Sequence, residues 1–184
     1  RFGGGFQSPQ DGGVGNRSAG PTVAAPPKLD VSYTVTMAMW VRYVTAYPNW
    51  KSYMGRTLNE NWDYGWAVTG QGNTISFWTI VYTNAVTCPF LPSDNWQHVA
   101  AVADGAYLRL YVNGVACGTP RAHTDLLQNL YGAQFRACAF DNASSRGECD
   151  QVAVWSEALT AAQIASLYAQ DPACPNLAPV DAGS

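Results

Sequence analysis

Residues Ser32 to Val44 constrain the fold more than any other stretch. Tyr33, Val35, Met37, Met39, Val41 and Tyr43 alternate there with Ser32, Thr34, Thr36, Ala38, Trp40 and Arg42. Period two is the signature of a strand, and β-branched and aromatic residues suit its pleated surface. A strand this long needs partners. Candidates are Ser52–Met54, Gly65–Thr69, Thr74–Tyr82, Trp96–Ala103, Tyr107–Val112, Val115–Cys117, Phe135–Ala139 and Gln151–Trp155. Asp104-Gly105 and Asn113-Gly114 sit between apolar runs, and both pairs suit the positive φ angles of type I′ hairpin turns. Residues 96 to 117 therefore read as a three-stranded antiparallel meander.

One helix is expected, late in the chain. Thr160-Ala161-Ala162-Gln163 forms a capping box, and Leu159 and Ile164 are placed as a hydrophobic staple. Ile164, Leu167 and Tyr168 make one apolar stripe, and the helix should end near Gln170 because Pro172 cannot continue it. Many short strands with one late helix point to an all-β, antiparallel sandwich. The Gly/Pro/Ser-rich first thirty residues read as loop with a short strand at Arg1–Phe2, and the sandwich is expected over 1–172, with a Pro/Ala/Gly tail or linker at 173–184. The chain starts at Arg1 with no signal peptide and reads as a mature fragment or an excised domain.

Composition excludes several function classes. Ten basic against thirteen acidic residues give a net charge of −3, with lysine only at Lys28 and Lys51, so no basic footprint for nucleic acid or anionic membrane exists. No apolar run approaches a membrane span. Five cysteines form no CxxC pair, and His98 and His123 are far apart, which disfavours zinc or iron–sulfur ligation and suits scattered disulfides in an oxidising compartment. An extracellular location, secreted or cell-surface, is expected. Sequons at Asn16 and Asn142 decide nothing, since such triplets arise by chance.

The segment Ser93-Asp94-Asn95-Trp96-Gln97-His98-Val99-Ala100-Ala101-Val102-Ala103-Asp104-Gly105, followed by Leu108-Arg109-Leu110-Tyr111-Val112-Asn113-Gly114, resembles the signature of laminin G-like domains in the pentraxin/concanavalin A-like branch. Met39-Trp40-Val41-Arg42 is similar to the family's early strand. The run from Asp150-Gln151-Val152-Ala153-Val154-Trp155 through Ala158-Leu159-Thr160 to Ile164 is similar to its closing strand and helix. The resemblance covers about Tyr33 to Ala169 and implies a jelly-roll sandwich of two antiparallel sheets. It implies far less about activity, because the fold hosts lectins, adhesion modules, glycosidases and spacers.

Catalysis finds little support. Glycoside hydrolysis needs two carboxylates flanking the scissile bond. The chain has three glutamates, Glu60, Glu148 and Glu157; Glu148-Cys149-Asp150 begins a glucanase-like pattern, but Val152 stands at its third position. Sugar binding is better served. Tyr47 to Trp66 interleaves aromatics with hydrogen-bonding groups, and Trp50, Tyr53, Arg56, Asn59, Asn61, Trp62 and Asp63 are candidate contacts; the alternative is that these aromatics pack under their own loops. On Thr74–Tyr82, Trp78 and Tyr82 share a face with Ser76 and Ile80 and offer a second platform, although the pattern does not say which face meets the other sheet. Calcium, as in pentraxins, is a further possibility that the resemblance implies: Glu60 and Asn61 fall at the first ligand loop, and Asp141 and Asn142 at the second. The other reading of Asp141–Glu148 is a plain Asx-rich hairpin loop, because Arg146 opposes a cation and the acidic run is missing.

Cys138 and Cys149 flank that loop, so a bridge there closes a short loop and contributes roughly 3 kcal/mol in the chain-entropy model. Cys88–Cys117 is the second expected pair; Cys174 is left over and free, pairs with Cys88 or Cys117 instead, or cross-links to a second chain. The reading is a non-catalytic extracellular module that binds a glycan or polysaccharide, or serves adhesion. The alternative is a structural subunit whose loop aromatics meet neighbouring extracellular protein subunits.

Overall fold

The computed structural model describes residues 6–7, 22–24, 31–43, 50–57, 65–79, 81–124, 127, 134–140 and 147–170. Among these described residues there are twelve strands and one helix: β1 (Phe6–Gln7), β2 (Thr22–Ala24), β3 (Thr34–Tyr43), β4 (Trp50–Thr57), β5 (Gly65–Gln71), β6 (Thr74–Thr79), β7 (Val81–Pro89), β8 (Ser93–Asp104), β9 (Tyr107–Val112), β10 (Val115–Ala122), β11 (Gln134–Phe140), β12 (Gly147–Trp155) and α1 (Ala161–Gln170). They build two six-stranded antiparallel sheets, ordered β1-β12-β3-β8-β9-β10 and β2-β11-β4-β5-β6-β7. The sandwich and its late helix are as the sequence implied. Arg1–Phe2 and the tail expected from 173 lie outside the described residues.

Alternation supplies the core. From the first sheet, Val35, Met37, Met39 and Val41 of β3 face inward with Val99, Ala101 and Ala103 of β8. From the second, Met54, Trp66, Val68, Ile75, Phe77 and Phe135 meet them. Each Val, Ile, Met or Phe among them, fully buried, contributes roughly 1.5–3 kcal/mol. The ambiguous strand resolves here: Ile75 and Phe77 point in, while Ser76 and Trp78 point out. Thr74–Tyr82 is also two strands rather than one, since the chain reverses after Thr79 and Val81 pairs back on it.

Local irregularities turn residues where alternation would not. A register shift between Ser52 and Met54 puts Tyr53 and Met54 both in the core. On the neighbouring strand Cys138 adopts φ 58° and joins Ala137 inside. That inward turn lets Cys138 of the second sheet reach Cys149 of the first, with a Cα–Cα distance of 6.0 Å. Cys88 and Cys117 likewise join β7 to β10, at 5.7 Å. Both bridges therefore tie sheet to sheet, near opposite edges. The β7/β10 edge is closed along its length. A Cβ on Gly118 would sit 2.5 Å from the Thr87 carbonyl oxygen, and Arg121 Nε donates to Asn84 Oδ1 at 2.7 Å. Residues 88, 87 and 84 thus meet 117, 118 and 121 in turn, which leaves that edge little room to accept a foreign strand.

The Asn113-Gly114 turn is type I′ as expected, with φ 50° and 77° between the paired Val112 and Val115. Asp104-Gly105 differs. Only Gly105 has positive φ, and four residues separate the paired Ala103 and Leu108. The Asp104 carboxylate explains the longer loop, because Oδ1 accepts from the Ala106 and Tyr107 amides at 2.9 and 2.6 Å. The capping box of α1 forms as read: Thr160 N donates to Gln163 Oε1 at 2.8 Å and Gln163 N to Thr160 Oγ1 at 3.3 Å. Ile164 is buried on the outer face of the first sheet against Ala38, Ala100, Val102 and Tyr111.

Candidate functional site

The pairing order decides which candidate residues come together. Gln134 pairs with Thr57 and Phe140 with Lys51, so β4 separates the two ends of the sandwich. One end, called here the Tyr107 end, gathers Thr57, Gly65, Thr79, the Asp104–Tyr107 loop and Ala122. The opposite Trp96 end gathers Trp50, Pro89, Ser93, Phe140 and Gly147.

Asn59, Glu60, Asn61, Trp62 and Asp63 lie outside the described residues, but the strands that bracket them, Thr57 and Gly65, stand at the Tyr107 end. Tyr82 begins its strand at that end too. Trp50 starts β4 at the Trp96 end and is a strand residue, not the loop residue expected. Asp141 and Asn142 also lie outside the described residues; Phe140 and Gly147, which bracket them, stand at the Trp96 end. From Lys51 to Thr57 the strand spans about 20 Å. The described anchors of the two candidate calcium loops are that far apart, and Glu60, Asn61, Asp141 and Asn142 themselves lie outside the described residues. Among the described residues no group of three or more His, Cys, Asp or Glu could hold a metal ion.

Three candidates are buried and offer a ligand no surface. Tyr53 is 1% exposed and packs edge-on against Phe90 at 5.8 Å. Trp78, also 1% exposed, lies on the outer face of the second sheet against Ala67 and Ala85, and its indole donates to Thr69 Oγ1 at 3.1 Å. It is therefore neither the exposed half of a platform nor on the same strand as Tyr82. Arg56 stands on the inner face between Trp66 and Phe135 in the pairing row and is buried. These three corrections share a cause: each side chain sits where neighbouring strands, not nearby sequence, cover it.

Two exposed aromatics at the Tyr107 end stand outside the aromatic-rich interval. Tyr33 and Tyr107 are 49% and 43% exposed and flank the Asp104–Tyr107 loop. Tyr33 escapes the inward face because β3 begins only at Thr34. The Arg109 guanidinium lies 5.1 Å from the Tyr107 ring centroid and donates through Nε to Asp104 Oδ2 at 2.9 Å. Burial alone would raise the Asp104 carboxyl, but the Ala106 and Tyr107 amides and Arg109 outweigh it and hold the group below its usual range. The loop, its carboxylate and its tyrosine are thus fixed before any ligand arrives. Beneath it His123 is buried, Nδ1 3.1 Å from Thr79 Oγ1.

At the Trp96 end the glucanase-like pair is otherwise engaged. Arg42 forms an ion pair with Glu148, and Asp150 is buried, its Oδ1 accepting from the Gln151 amide at 2.8 Å. A carboxylate bound to a guanidinium and another shielded from solvent do not make an open acid–base pair.

A family model described as concanavalin A-like lectin/glucanases superfamily matches residues 16–165. No curated protein matches the chain in sequence. Similar solved structures include the binding domain of Paraclostridial Mosquitocidal Protein 1 (TM-score 0.68, 13% identity, covering 89% of this chain and 42% of that one). They also include the botulinum neurotoxin serotype G binding domain (0.65, 15%, 82% and 40%). A third is the serotype D ligand-binding domain in complex with N-acetylneuraminic acid (0.63, 13%, 81% and 39%). The chain spans about two fifths of the length of these structures, and at such identity the likeness is one of fold.

Proposed function

From the premise that the chain belongs to the concanavalin A-like lectin/glucanases superfamily, we propose that it is a non-catalytic, extracellular glycan-binding or adhesion module that works through its Tyr107 end. The observation that carries this reading is the pair of exposed tyrosines set around a rigid loop, at the end where the segment holding Asn59, Asn61, Trp62 and Asp63 is anchored. Sugars present C–H patches to aromatic faces and hydroxyls to amide, carboxylate and guanidinium groups, and that end combines both. Binding domains among the solved relatives, one holding N-acetylneuraminic acid, support a binding role. Two disulfides suit an oxidising compartment, and among the described residues no helix is long and apolar enough to cross a membrane.

A second reading, a structural subunit contacting neighbouring proteins, rests on Leu91 and Val115, which are 61% and 69% exposed toward the Trp96 end. A glycan array combined with sedimentation separates the two. Saturable glycan binding by a chain that stays monomeric supports the first. Self-association with no glycan bound overturns it in favour of the second.

A further inference from the structure

The outer face of the first sheet is buried beneath α1 and becomes partly exposed in the first row that the helix leaves. Inside that line Asp150, Trp40 and His98 stand side by side on β12, β3 and β8, all buried. Tyr168 rests on Trp40 and His98, with ring centroids 5.6 and 6.2 Å away. The helix ends two residues later, at Gln170. The next row toward the Trp96 end lies beyond the helix and consists of Glu148 and Arg42, directly paired, with Trp96 beside them. Arg42 Nε donates to Glu148 Oε2 at 2.8 Å, Nη2 reaches the same oxygen, and the guanidinium carbon lies 5.3 Å from the Trp96 ring centroid. The Arg42 and Glu148 side chains are 37% and 25% exposed, and Trp96 is half-buried.

A guanidinium held by both a carboxylate and an indole has given up most of its rotamer freedom before a ligand arrives, so binding costs it little further entropy. The row is therefore a fixed donor, a fixed acceptor and an aromatic surface within one short span. Arg42 and Glu148 offset one another's charge, and an acidic ligand would face Glu148, which favours a neutral one. We infer that this row is a second carbohydrate contact, taking a neutral sugar through a vicinal diol. One hydroxyl accepts from Arg42, the next donates to Glu148, and the C–H side of the ring lies on Trp96. Because it stands at the end opposite Tyr107, it does not depend on the function proposed for that end.

Titrating the ¹⁵N-labelled chain with the methyl glycosides of glucose, galactose and mannose tests it. The Trp96 indole N–H signal should move saturably with at least one of them. Arg42→Gln and, as a variant that keeps size and a hydrogen-bond acceptor, Glu148→Gln should each weaken that Kd about tenfold. Tyr107→Ala should leave it unchanged, so loss of the Tyr107 site and loss of this one are read separately. No movement of the Trp96 signal at millimolar glycoside, or an unaltered Kd in a folded Glu148→Gln chain, overturns the inference.

Discussion

On the outer face of the first sheet, Ala38, Ala100, Val102 and Tyr111 receive Ile164 from α1. On the outer face of the second, Gly55, Ala67 and Ala85 flank Trp78 in one pairing row, and the indole lies among them with its N–H on Thr69. One face is closed by a separate element whose cap, staple and stripe are adjacent in sequence. The other carries its own large side chain on neighbours gathered from β4, β5 and β7. The difference teaches that a covering element is legible when its determinants are local, and hidden when they come from strand order.

The comparison is sharpened first by truncating each face at its centre. Trp78→Ala removes the buried indole from the outer face of the second sheet and leaves a cavity beside Ala67 and Ala85. A loss of about 4 kcal/mol of unfolding free energy is expected in urea melts; a loss under about 1 kcal/mol would show Trp78 to be a surface residue. Ile164→Ala should cost about 3 kcal/mol and should preferentially speed amide exchange in α1 and at Ala100–Val102. Uniform exchange across both sheets would mean that the helix is no separate cover. Thr160→Ala, which removes only the cap, should cost about 1 kcal/mol, with Thr160→Ser recovering most of it.

The smallest effect concerns Asp104. Its carboxyl titrates below the usual 3.8 in the folded chain, so the stability it contributes is fully present above that value and is lost as pH falls through the folded one. The difference in Tm between the wild type and Asp104→Asn should be constant from pH 7 down to about 4 and shrink below it. A difference that grows on acidification would reverse the sign of this account.

Much of the frame could be read from residues alone. The alternation from Thr34 to Arg42, the Asn113-Gly114 turn and the Thr160–Gln163 box each depend on neighbours a few positions away, and each formed as read, with Tyr33 alone leaving the inward face. Cys138–Cys149 and Cys88–Cys117 also formed. What could not be read was set at long range. Asp104 looks like the first residue of a two-residue turn until its side chain is seen capping two amides. Tyr53 looks like a ligand contact on a short strand until a register shift puts both it and Met54 in the core. The aromatic interval from Tyr47 to Trp66 looks like one patch, yet β4 sends Trp50 to one end and the anchors of the segment holding Trp62 to the other. Tyr33 and Tyr107 carry no motif; only their exposure beside the Asp104 loop marks them.

The claim that matters most is that the Tyr107 end holds a glycan. Isothermal titration of the intact chain with the strongest oligosaccharide from an array tests it most directly, comparing wild type with Tyr107→Ala and Trp62→Ala. Loss of a stacked aromatic is expected to cost about 1–3 kcal/mol of affinity in each variant, by analogy with base–aromatic stacking, with Tm unchanged. Undiminished binding by both variants, or no oligosaccharide bound by the wild type, would contradict it.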